Sequence, residues 1–187
     1  MKAIGFVASP RKAGNTAWTV ERILEGARAQ GAETELLYAS DLEITPCRGC
    51  LGCVKGDGCV IPDDMQRVYA ALQDADALVL GAPIYMGQMS AQAKAFMDRL
   101  FAQITPRFSP RFKEENAGKK MVLVFTQGNP STDRFQPYYD YTRHMFQTLE
   151  FDVRDMVVIP NTRSEAASER SELPATMRQV GASLYGS

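Results

Sequence analysis

The stretch Ala77-Leu78-Val79-Leu80-Gly81-Ala82 is apolar throughout, without the alternation of a strand that has one wet face. It reads as a β-strand buried on both sides, as in a parallel sheet covered by helices. Outward from it, strand-like and helix-like segments alternate. Lys2 to Ala8 is a short run rich in Ile, Phe and Val, followed by the turn Ser9-Pro10 and by Gly14. Asn15 or Thr16 is placed to cap a helix through Val20, Ile23, Leu24 and Ala27 that stops near Gly31. Thr34 to Tyr38 is a second strand. Asp63-Asp64 opens a helix with Met65, Val68, Tyr69 and Leu72 on one face, two acids in the first turn suiting its dipole. Beyond the loop Pro83 to Met89 the pattern predicts a helix over 91–104, a strand Lys120 to Phe125 and an aromatic helix over 133–149. A strand Val153 to Ile159 and a helix Leu173 to Tyr185 close the chain. Five strands alternating with helices predict an α/β domain over residues 1–187, a five-stranded, doubly wound parallel sheet with a cysteine-rich loop at 46–60.

Composition agrees with a globular chain. Of the 187 residues, 45% are apolar and 23% charged, enough to bury a core without disulfide staples. With a net charge of −1 there is no basic field to favour nucleic acid. No apolar run approaches the roughly 20 residues that span a bilayer, and Ala3 to Ala8 is too short for a signal-peptide core. A cytoplasmic location is expected, with no membrane partner.

In such sheets, chemistry sits in the loops beyond the carboxyl ends of the strands. Ser9-Pro10-Arg11-Lys12-Ala13-Gly14-Asn15-Thr16 joins a strand to a helix N-terminus, where free backbone N–H groups and the helix dipole favour an anion. Ser9, Asn15 and Thr16 add donors and Arg11 a charged fork. Neither a Walker P-loop nor the dinucleotide fingerprint is present, which suits a phosphate that is held rather than transferred. An ordinary polar-capped turn is the plain alternative. Pro83-Ile84-Tyr85-Met86-Gly87, with Thr126-Gln127-Gly128 nearby in the fold, offers side chains for the faces of a flat heterocycle and amides for its edge. An anion cradle beside such a wall points to a phosphorylated flavin.

Ser9-Pro10-Arg11-x-x-Gly14-Asn15-Thr16, Asp63-Asp64-Met65, Ala82-Pro83-Ile84-Tyr85 and Ala91-x-x-Lys94-x-Phe96-x-Asp98-Arg99 together resemble the flavodoxin-like NAD(P)H-dependent FMN reductases. With the cysteines added, the chain is most similar to the iron–sulfur flavoproteins, over roughly residues 1–130. The resemblance implies a flavodoxin-like fold with strand order 2-1-3-4-5. It implies FMN with its phosphate on Ser9, Arg11, Asn15 and Thr16, and its ring beside Pro83, Ile84, Tyr85, Met86 and Gly87 and beside Thr126, Gln127 and Gly128. It further implies NAD(P)H as a possible electron donor and a homo-oligomer, a dimer or tetramer, with small-molecule or protein redox partners.

Cys47, Cys50, Cys53 and Cys59 fall within thirteen residues and none occurs elsewhere. Such thiols could link a loop only to itself, so a metal, cluster or redox role is the better starting point. A C-x2-C-x2-C run is a common way to hold a [4Fe–4S] cubane, one thiolate per iron, and Gly49, Gly52, Gly56 and Gly58 let the backbone wrap closely. The spacing also matches the compact motif of the iron–sulfur flavoproteins. Bare or redox-sensing thiols and a zinc site are the alternatives, although zinc more often draws two separated ligand pairs. His144, the only histidine, reads as a packed or surface helix residue. The aromatic segment around it reads as core or subunit interface. Arg107 to Lys113 and Lys119-Lys120 read as a solvated basic loop. No hydrolytic motif is present and no catalytic side chain is named, since a flavin carries its own chemistry. The expectation is an FMN-dependent oxidoreductase relaying electrons between FMN and a [4Fe–4S] cluster. The alternatives are an NAD(P)H-dependent FMN or quinone reductase without a cluster, and a non-enzymatic electron carrier.

Overall fold

A computed structural model describes residues 1–56, 58–103 and 118–186 of the chain. Its strands are β1 (Lys2–Val7), β2 (Glu33–Tyr38), β3 (Ala77–Tyr85), β4 (Gln88–Met89), β5 (Lys120–Thr126) and β6 (Asp152–Ile159). The helices are α1 (Asn15–Ala29), α2 (Gly52–Lys55), α3 (Met65–Asp74), α4 (Ala91–Arg99), α5 (Gln136–Thr148) and α6 (Leu173–Ala182). The parallel strands lie in the order β2-β1-β3-β5-β6. Leaving β4 aside, this is the expected 2-1-3-4-5. The difference is β4, predicted as loop, which returns antiparallel on the end of β3. Met86 and Gly87 make its tight turn, both at positive φ (49° and 84°), as two-residue hairpins of this hand require.

Alternate residues of the central strands face opposite layers, which is why these strands are apolar throughout. Ile4, Phe6, Leu78, Leu80, Leu123 and Phe125 pack against Val68 and Leu72 of α3, Phe96 of α4 and Phe146 of α5. Their neighbours Ala3, Val7, Val79, Val122 and Val124 pack under Val20, Ile23 and Leu24 of α1 and Met177 of α6. On that face α1 and α6 touch backbone to backbone. A Cβ on Gly181 would stand 1.8 Å from the Ile23 carbonyl oxygen, and one on Gly26 1.9 Å from that of Arg178.

Local details correct the sequence reading. The N-cap of α1 is Gly14, and neither Asn15 nor Thr16 caps it. Asp63 and Asp64 precede the first turn of α3 rather than occupy it. The helix expected over 91–104 is α-helical only to Arg99 and continues as a 3-10 turn, Leu100–Gln103. Ile104, and the predicted basic connection including Arg107 to Lys113, lie outside the described residues. Lys119 is not solvated. It is buried, and its ammonium donates to the carbonyls of Leu72 and Gln73 (both 2.9 Å) and of Ala75, satisfying the open end of α3. Lys120 begins β5 and reaches the Leu184 carbonyl. Tyr139 and Phe146 of the aromatic segment are core residues, whereas His144 is exposed on α5. Among the described residues, no helix is long and apolar enough to cross a membrane.

Candidate functional site

At the carboxyl edge of the sheet, the loops after β1, β3, β5 and β6 enclose a cleft of about 440 Å³. The first loop contributes Ser9, Arg11, Asn15 and Thr16, and the end of β3 contributes Pro83, Ile84 and Tyr85. Thr126 and Gly128 come from β5 and its loop, and Thr162 and Arg163 from the segment after β6. Among the described residues, no Asp or Glu lines the cleft. Neither arginine has an ion-pair partner among the described residues. The N-terminus of α1 carries no side-chain cap and no acid in its first turn. Its free N–H groups and positive dipole end therefore add to the two guanidinium groups. This end of the cleft is built for an anion.

The polar residues are fixed from below. Buried Ser9 accepts a hydrogen bond from the Arg11 N–H (3.2 Å). The hydroxyls of Thr16 and Thr126, both buried, meet at 2.7 Å and tie α1 to the end of β5. Asn15 reaches across the cleft floor: its Nδ2 donates to the Thr162 carbonyl (3.4 Å), and its Oδ1 accepts from the Ala167 N–H (2.7 Å). Its side chain thus holds the segment after β6 while lining the cleft.

Three residues named from sequence do not line the cleft. Met86 and Gly87 form the hairpin turn, with Met86 fully exposed. Gln127 is turned inward. Its Oε1 accepts from the Tyr139 hydroxyl, and its Nε2 donates to the carbonyls of Asn129 (2.9 Å) and Ser131 (2.6 Å). It shapes the turn that presents Gly128. Conversely, Thr162 and Arg163 have no motif around them, and only the fold brings them to the cleft.

The four cysteines line a second, smaller recess of about 50 Å³, together with Arg99 and Phe101. Cys47 and Cys50 are exposed, Cys53 and Cys59 half-buried. Burial raises the Cys53 thiol, and the other three cysteines raise it further. Among the described residues, no three His, Cys, Asp or Glu side chains form a group that could hold a single metal ion.

The stems of this loop are held by residues to which sequence reasoning gave no role in the loop. Arg99, 1% exposed, donates two bonds to Asp63 (2.7 and 3.0 Å) and one to the Thr45 carbonyl (2.7 Å). Asp63 also accepts from the N–H groups of Thr45 (2.9 Å) and Met65 (3.1 Å). Burial would push its carboxyl up. The bonds from Arg99 and the two N–H groups, with the Arg99 charge, prevail and hold it at about 2. On the exit side, Gln66 Nε2 donates to the carbonyls of Cys59 and Ile61 (both 2.9 Å). Asp63 and Arg99 both stand in the quoted motifs, but no local pattern links residues 36 apart.

The family described as NADPH-dependent FMN reductase matches residues 1–164, and the chain belongs to it. An iron-sulfur flavoprotein of Methanosarcina thermophila is 41% identical over 99 residues, 53% of this chain and 52% of that protein. Another, from Methanocaldococcus jannaschii, is also 41% identical over 99 residues, 53% of this chain and 51% of its own. The match thus spans about half the length of these curated relatives. Among solved structures, an NAD(P)H:quinone oxidoreductase from Methanothermobacter marburgensis superimposes with a TM-score of 0.78. That likeness covers 100% of this chain and 98% of the other at 15% identity, and it concerns the fold alone.

Proposed function

We propose that this member of the NADPH-dependent FMN reductase family binds FMN in the cleft and acts as an FMN-dependent oxidoreductase fed by NAD(P)H. One observation carries the reading: a cleft lined by two arginines and, among the described residues, by no acid, with the bare N-terminus of α1 at its edge and the wall Pro83-Ile84-Tyr85 beside it. A phosphate monoester carries about −1.5 to −2 charge at neutral pH and three acceptor oxygens. The N–H groups of α1, Arg11 and the Ser9 hydroxyl match it in charge and donor count. One such end, with no dinucleotide fingerprint, fits a mononucleotide better than FAD. When bound, FMN supplies hydride and single-electron chemistry. The chain anchors the phosphate, walls the ring with Pro83 to Tyr85, and fixes the loops through the Thr16–Thr126 and Gln127–Tyr139 bonds.

We further propose that Cys47, Cys50, Cys53 and Cys59 hold a [4Fe–4S] cluster that exchanges electrons with the flavin. A cubane takes one thiolate per iron, so its ligands surround one object rather than converge on one ion. Four thiols around one recess suit that demand, and relatives named iron-sulfur flavoproteins support it. The second reading is an NAD(P)H-dependent FMN or quinone reductase with a plain thiol loop, and the exposure of Cys47 and Cys50 favours it.

One preparation tests both. Protein made anaerobically with iron should release FMN on acid treatment, oxidise NAD(P)H, and contain about four iron and four sulfide per chain. Recovery of FAD, or no flavin after reconstitution, overturns the flavin assignment. Full FMN with no iron or sulfide, resistant to reconstitution, leaves the cluster-free reductase.

A further inference from the structure

We propose that Arg163 binds the phosphate of the flavin nucleotide as the second cation of the cleft, and that Asn15 is the residue that positions it. The inference rests on the FMN reading above and adds to it a residue outside the loop that carries the phosphate motif.

Charge is the first argument. A phosphate dianion beside Arg11 alone remains partly unbalanced, and among the described residues the other charged side chain lining the cleft is Arg163. With no carboxylate paired to it among the described residues, its guanidinium is available to a ligand.

Placement is the second. The Arg163 stem lies across Gly128: a Cβ there would stand 2.7 Å from Nε and 2.8 Å from Cδ and Cγ. Gly128 thus leaves the space through which Arg163 crosses toward the cleft.

Anchoring is the third. The segment that carries Arg163 is bonded on both sides of it. The N–H groups of Asn161 and Thr162 donate to the carbonyls of Asn129 and Gln127 (both 3.0 Å). The Asn15 amide bonds Thr162 and Ala167, spanning the arginine. Asn15 is also the first residue of α1. One side chain therefore locks the second cation to the helix end that faces the anion.

Titrating the flavin-free chain with FMN and with riboflavin, the same ring without the phosphate, tests this through flavin fluorescence. Arg163→Met should weaken FMN about tenfold or more, as expected for a charge-assisted bond, and leave riboflavin unchanged; Arg163→Lys should recover part of the loss. Gly128→Ala keeps the charge but displaces the stem, and should also weaken FMN alone. Asn15→Ala should show the same selectivity and add little in the Arg163→Met background. Thermal melts of each variant check that the chain is folded.

If the unaltered chain prefers FMN over riboflavin and Arg163→Met keeps that preference, Arg163 is not a phosphate ligand, while the FMN reading stands. If Arg163→Met instead changes only the discrimination between NADPH and NADH, the residue serves the nicotinamide nucleotide and the inference is overturned. Equal loss of FMN and riboflavin in Gly128→Ala would show a clash with the ring and remove that support. Additive losses in the Asn15 and Arg163 double variant would overturn the positioning role. Failure of the unaltered chain to bind FMN at all would refute the FMN reading itself.

Discussion

Replacing Arg99 by Met would show what the buried ion pair at the base of the cysteine loop contributes. The Arg99 side chain is 1% exposed and makes two bonds to Asp63 and one to Thr45. Removing one partner of such a pair costs about 3–5 kcal/mol, because the remaining charge is left buried. Asp63 sets the pH dependence. Its folded carboxyl is held at about 2 against an ordinary 3.8. At about 1.4 kcal/mol per unit this is worth on the order of 2 kcal/mol, and somewhat less once solvent screening at the loop is allowed for. A depressed carboxylate contributes fully above its unfolded value, and the contribution is lost as pH falls toward the folded one. In Arg99→Met, Asp63 keeps its two backbone donors but loses the cation, so its pKa rises and most of this stabilisation disappears. The stability gap between the two proteins should therefore be widest near neutrality and narrow by on the order of 1–2 kcal/mol on acidification below about pH 4. Urea unfolding of flavin-free protein at about pH 7, 5 and 3 measures it without ligand linkage. A gap under about 1 kcal/mol at neutral pH, or one that stays flat or widens in acid, refutes the reasoning.

The sheet was legible because burial on both faces writes itself locally. The run Ala77 to Ala82 serves two cores in alternation and so has no polar face to hide it. The hairpin β4 was not, since a two-residue strand has no period. Lys119 misled because its solvent is replaced by the carbonyl end of α3, a partner more than forty residues earlier. The first loop was legible as an anion site through its strand-to-helix position, but the role of Asn15 was not. A short polar residue at a helix start reads as a cap, whereas here its partners are Thr162 and Ala167, about 150 residues away. Arg163 is hidden for the same reason: its neighbours in sequence carry no signal, and its neighbours in space are Gly128 and the cleft. Apart from the β4 hairpin, what sequence reasoning missed are contacts between segments distant in the chain; what it found are features written within one element.

Lys119→Met would remove the ammonium donor from the carbonyls of Leu72, Gln73 and Ala75, of which Leu72 keeps the Ala75 N–H, and should destabilise the chain by about 1–3 kcal/mol in urea unfolding. An unchanged midpoint would mean that water replaces the ammonium. Gly181→Ala drives a methyl into the Ile23 carbonyl across α1 and α6, backbone that cannot yield cheaply, and should cost about 1–3 kcal/mol and lower the melting temperature. A neutral result would show that the two helices slide apart freely. Cys50→Ser removes one of four thiols around the small recess while the cleft is built from other loops. If the thiols act together on one cluster, one substitution should drop iron and sulfide well below about four per chain and leave the FMN content unchanged. Retention of all the iron would exclude Cys50 as a ligand. Parallel loss of FMN would mean that the loop and the cleft are one structural unit, contrary to their separate linings.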